Sequence, residues 1–205
     1  MNISSARVVN HHADYPGFTG ATGLLCALVM LVMGRAKARL ATDVASVSEA
    51  DHVVDIGCGP GTAVRAAARR GASVTGVDPA RVMLRVARAL TRDRADITWA
   101  DGSAENLPLP DGSVTVAWSL ATVHHWKDVT ASLAEAHRVL APGGRLLAIE
   151  RQVRPDATGL ASHGWTEQQA ESFAAQCRTA GFGDLQIKKH GTGRGAVWAV
   201  SGVRR

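Results

Sequence analysis

Between positions 53 and 62 the chain reads Val53-Val54-Asp55-Ile56-Gly57-Cys58-Gly59-Pro60-Gly61-Thr62. Three glycines alternate directly after an apolar run, where the missing β-carbons permit unusual dihedrals and close approach of a ligand to the backbone. The first amides of a following helix are expected to point into the same crevice. A second apolar run, Ser73 to Val77, ends on Asp78 and is followed by Pro79. A carboxylate at such a strand tip can accept hydrogens from both hydroxyls of a ribose and disfavours a phosphate attached there. Nicotinamide dinucleotides use the same geometry, so these residues alone leave the ligand open.

Further candidates lie in Ala121-Thr122-Val123-His124-His125-Trp126. A neutral imidazole titrates near working pH and suits proton removal, which makes His124 and His125 candidate bases; loop packing is the plainer reading of either. Trp126 can wall the cofactor or fill the core. Upstream, His11, His12, Asp14 and Tyr15 form a polar cluster. Adjacent histidines seldom converge on one ion and spacing supplies no third ligand, so no metal is expected. Glu150, His163 and Trp165 are further polar or aromatic candidates for an acceptor wall.

The elements that must place these residues alternate apolar runs of strand length with helical stretches, the rhythm of βαβ units. Strands are expected over His52–Ile56, Ser73–Val77, Ile97–Ala100, Val114–Ser119 and Arg145–Glu150, with two closing strands, Leu185–His190 and Ala196–Ser201, around a tight turn. Helices are expected over 23–47, 62–70, from Pro79 to about 91, over 129–140 and over 166–180. Thr166 with Gln169 has the spacing of a capping box, Pro142-Gly143-Gly144 should end the fourth helix, and the proline-marked stretch 101–111 should be a loop. The reading is α/β: a doubly wound, mostly parallel seven-stranded sheet, Rossmann-like, with an antiparallel closing strand. One domain spans 1–205, with an arm and helix over 1–47 as a possible lid, a binding core over 50–150, and closing elements over 151–205.

With 205 residues, 46% of them hydrophobic, the chain can bury one substantial core and is no candidate for disorder. Its net charge of +5 is spread along helical stretches rather than gathered into a basic, aromatic-laced track, so no nucleic-acid partner is expected. Cys26, Cys58 and Cys177 lie far apart, as expected for reduced cytoplasmic thiols. Leu24 to Met33 is apolar but far shorter than the roughly 20 residues of a membrane span. It reads as a buried or partner-facing helix, and a homodimer is one way to face it.

At this point the residues resemble the class I S-adenosylmethionine-dependent methyltransferases, in particular the small-molecule branch with the ubiquinone and menaquinone enzymes. Asp55 to Gly61 is similar to the first motif of that family, Asp78 to its ribose contact, and Asp101-Gly102 to the pair beside the adenine. Ala104 to Ser113 and Arg138-Val139-Leu140-Ala141-Pro142-Gly143-Gly144 resemble two further segments. The resemblance covers about 50–150. It implies S-adenosylmethionine as cofactor and methyl transfer to a small-molecule acceptor by in-line displacement; with Leu24 to Met33 nearby a hydrophobic or aromatic acceptor is favoured, and sugar hydroxyls and amines stay open. It also implies a cofactor site of Tyr15, Asp55, Gly57, Cys58, Gly59, Gly61, Asp78, Pro79, Asp101, Gly102, Ser119 and Trp126, with His124 and His125 at the acceptor. Trp118-Ser119 departs from the pattern, since many relatives carry an acid near there. The rival readings are a nicotinamide-dependent oxidoreductase, for which no Tyr-x-x-x-Lys arrangement exists, a nucleic-acid methyltransferase, and a cofactor-binding protein without transfer activity.

Overall fold

Val53, Val54 and Ile56 are buried on both faces of one strand, as a central parallel strand requires. The computed structural model describes residues 20–92 and 94–205. Its strands are β1 (His52–Ile56), β2 (Ser73–Asp78), β3 (Ile97–Asp101), β4 (Val114–Leu120), β5 (Leu140–Arg151), β6 (Phe182–His190) and β7 (Val197–Arg204). They form one sheet in the order β3-β2-β1-β4-β5-β7-β6. β1 to β5 pair in parallel, whereas β7 runs antiparallel between β5 and β6.

The helices are α1 (Gly20–Met33), α2 (Arg35–Val44), α3 (Thr62–Ala68), α4 (Arg81–Ala89), α5 (Val129–Val139) and α6 (Glu167–Thr179). Two buried layers flank the sheet. Alanines of α2 and α3 and Leu84 of α4 pack against Val53, Val116 and Trp118 on one side. Leu133, Ala136, Phe173 and Cys177 of α5 and α6 pack against Val54, Ala117 and Ala148 on the other. Small side chains let α2 and α3 approach closely, and this layer is alanine-rich for that reason.

Three expectations need correction. The single helix over 23–47 is two helices broken at Gly34, whose absent Cβ would lie 2.8 Å from the Met30 carbonyl oxygen and 3.5 Å from the Thr62 side chain. Pro79 does not start a helix: α4 begins at Arg81 after Ala80, and the Asp78 carboxylate accepts from the Ala80 amide at 2.8 Å. Residues 142–144 lie within β5, not in a turn ahead of it. The capping box is present, with the Thr166 hydroxyl accepting from the Gln169 amide and the Gln169 side chain accepting from the Thr166 amide.

Candidate active site

Because β1 to β4 are parallel, their carboxyl ends share one edge, and the order reverses between β1 and β4, where a crevice opens. Asp78 sits at the end of β2 directly beside Asp101 at the end of β3. Gly57 and Gly59 follow β1 with φ of +75° and +52°. These values favour glycine, and space demands it too: a Cβ on Gly57 would meet Thr122 at 2.8 Å, and one on Gly61 would meet the Trp99 ring at 2.2 Å.

The turn's amides are spent within the protein. Gly57 and Cys58 both donate to the Val77 carbonyl, at 2.8 and 3.0 Å, and Gly61 donates to the Cys58 carbonyl at 3.0 Å. Gly59 donates to Asp78 Oδ2 at 2.7 Å, and Pro60 has no amide hydrogen. Three of these four amides are thus taken by β2. The buried Cys58 thiol donates to the Gly59 carbonyl at 3.6 Å and packs in the core layer with α3. Burial pushes that thiol well above its ordinary pKa.

The electrostatics of the edge are acidic. Burial pushes the Asp55 carboxyl up to about 7, with the Asp78 charge acting in the same direction. Asp78 is also raised, first by burial and further by Asp101, while its two amide partners pull the other way. Asp101 is exposed and pairs with Arg81 at 3.3 Å. Gly102 gives the following loop room, since a Cβ there would meet Pro108 at 2.8 Å. That loop is tied down by α5: Glu135 accepts from the Leu107 amide at 2.8 Å, and Arg138 donates to the carbonyls of Leu107 and Leu109 at 3.0 and 2.8 Å and pairs with Asp111 at 2.7 Å.

Ser119, buried near the end of β4, shares a 2.5 Å hydrogen bond with Thr122, whose hydroxyl also donates to the Ile56 carbonyl at 3.0 Å. Thr122 thereby closes the side of the glycine turn, a role that its sequence position gave no sign of. A short 3-10 helix, Val123–His125, follows. His124 Nδ1 lies 3.0 Å from Glu150 Oε2, both side chains being buried. Lys37 of α2 is lowered by its burial and drawn partly back by Glu150.

His163, brought in by the loop after β5, completes a group of three imidazoles, with nitrogens of His124, His125 and His163 within 4.8 Å of one another. Spacing along the chain gave no hint of this grouping. Trp126 and Trp165 are buried and pack against Phe173 at ring separations of 6.1 and 4.7 Å. Tyr15, like His11, His12 and Asp14, lies outside the described residues.

Residues 54–148 match the family model for a methyltransferase domain. That match spans just under half of the chain. The chain is 36% identical over 112 residues to a demethylmenaquinone methyltransferase of Tropheryma whipplei strain Twist, covering 55% of this chain and 46% of the relative. It is 37% identical over 116 residues to the 27-O-demethylrifamycin SV methyltransferase of Amycolatopsis mediterranei, covering 54% and 42%. The chain spans less than half the length of these curated relatives. In fold, the chain superposes on a SAM dependent methyltransferase from Aquifex aeolicus with a TM-score of 0.68 at 16% identity, over 82% of this chain and 89% of that one.

Proposed function

We propose that this chain binds S-adenosylmethionine and transfers its methyl group to a small, lipophilic or aromatic acceptor. The observation that carries the reading is the acidity of the strand ends around the glycine turn. Three carboxylates, Asp55, Asp78 and Asp101, line the same strand ends. That set suits a ligand with sulfonium and ammonium charges and an unphosphorylated ribose, and a pyrophosphate would be repelled from it.

Asp78 is assigned the ribose, and Asp101 with Gly102 the adenine side, beside the exposed Pro79. Asp55, Gly57, Gly59 and Gly61 are assigned the methionine end, with Ser119 holding Thr122 against it. When bound, S-adenosylmethionine supplies an electrophilic methyl on a good leaving group, so alignment supplies much of the rate. His124 is the group that takes a proton from an acceptor hydroxyl. Its Nδ1 is engaged by Glu150, which leaves proton removal to Nε2 and steadies the imidazolium that forms. His125 and His163 stand beside it as acceptor contacts. The demethylmenaquinone and 27-O-demethylrifamycin SV methyltransferases that the chain resembles are each named for a small-molecule acceptor, in keeping with one here.

Calorimetry against S-adenosylmethionine and NAD, followed by a screen of labelled methyl transfer to phenols, quinols and hydroxylated polyketides, tests the reading. Selective binding of the sulfonium cofactor and label transfer to at least one phenolic class are expected. Selective NAD binding would overturn the cofactor, and tight cofactor binding without transfer to any class would leave a binding protein.

A further inference from the structure

The described surface is least explained at α1. Its 14 residues contain no charge, and Leu24, Leu25, Leu28, Val29, Val32 and Met33 are 46–73% exposed. An apolar patch of this extent on a water-soluble surface marks a contact. Beside it, between α2 and α3, lies a hollow of about 670 Å³ whose rim carries Arg35, Arg39, Arg65, Arg69 and Arg70. Arg70 is paired with Asp43 at 2.5 Å. Among the described residues Arg35, Arg39 and Arg69 have no carboxylate within ion-pair distance. The charges of Arg69 and Arg35 add to burial in lowering the Arg65 pKa, the signature of a cationic cluster lacking its counterion. Leu31 of α1 and Leu90 after α4 line the same hollow, so apolar and cationic parts form one continuous face.

We propose that this face docks on an anionic phospholipid surface, with α1 lying along the interface and the arginine-rimmed hollow taking headgroup phosphates. At 1.5 Å per residue α1 is about 21 Å long, too short for a hydrocarbon core of about 30 Å, and no described helix is long and apolar enough to cross a membrane. A helix of this kind lies in the interface plane, held by buried apolar area together with attraction to anionic lipid. A second copy of the chain is a poorer occupant, because a two-fold contact would place two uncompensated arginine clusters side by side. Nucleic acid is poorer as well, since it would desolvate six aliphatic side chains against phosphates. The face reaches the site through Met30, whose Cε would lie 2.9 Å from a Cβ on Gly59, so α1 stands between the docking surface and the glycine turn.

The inference is independent of methyl transfer, and its test reads binding alone. The chain is sedimented with vesicles of phosphatidylcholine, with and without phosphatidylglycerol. It should pellet with the anionic vesicles and remain in solution with the neutral ones. The double variants Leu28→Glu/Val32→Glu and Arg39→Gln/Arg69→Gln should each weaken pelleting about tenfold or more, with affinity for S-adenosylhomocysteine unchanged as proof of folding. Equal pelleting with neutral vesicles would overturn the role of the arginines. Absence of vesicle binding would overturn the proposal, and a dimer that Leu28→Glu/Val32→Glu splits, or retention on duplex DNA, would then assign the face to that occupant.

Discussion

Single side chains set the chemistry of this site, and two of them titrate or pair in ways that can be measured. Asp55 is raised to about 7 by burial, against about 3.9 in an unfolded chain. Folding therefore takes up a proton between those values: the penalty is absent below about pH 4, grows as pH rises to about 7, and is constant above. Asp55→Asn carries no such term, so its melting temperature relative to the parent should climb between pH 4 and 7 and then level. A flat difference across that window would mean the carboxyl is not displaced. Glu150→Gln should lower kcat by about 10²-fold and alter the pH-rate profile while leaving cofactor affinity unchanged, with partial rescue by Glu150→Asp. A loss confined to KM would make the His124 pairing a packing feature. Asp78 and the histidine pair were legible in the sequence because a strand end and a loop after a strand are places where side chains meet ligand. The Glu150 partnership was not, because it joins residues 26 apart through adjacent strands whose pairing the sequence leaves unstated.

At the scale of elements, the proposed adenine side depends on a loop that holds one isolated bridge, Ser103 with Asn106. Arg138 and Glu135 of α5 hold it through the carbonyls of Leu107 and Leu109, the Leu107 amide and Asp111. Arg138→Ala should therefore destabilise the fold by about 2 kcal/mol and weaken cofactor binding several-fold, with kcat at saturating cofactor nearly unchanged. Unaltered affinity, read by calorimetry, would show that the loop does not depend on this clamp. The five strands over 52–150 were readable because each is an apolar run bounded by turn residues, and the helix after Thr166 because both halves of its cap are local. The break at Gly34 was not. A glycine inside a helical pattern is usually tolerated, and here hydrogen bonds from Gly34 to Met30 and from Ala38 to Gly34 carry on through the break.

Across the whole molecule, the strand order places every proposed ligand contact among the described residues on one edge of the sheet, while the β6–β7 pair closes the opposite flank. Strand count, the mostly parallel sense and the antiparallel closure followed from the alternation of elements and from the family resemblance. The apolar helix, expected to be buried or partner-facing, is largely exposed on the described surface, which sets the buried alternative aside.

The Asp78 carboxylate fastens the Gly59 amide with one oxygen and the Ala80 amide with the other. The same side chain that would seat the ribose is thus the latch between two neighbouring loops, and vacating it frees both. Affinity and local order at this corner are consequently coupled through a single residue. Cofactor that engages the latch tightens the entrance to α4 along with itself, and pH low enough to neutralise Asp78 slackens the grip on ligand and loops together.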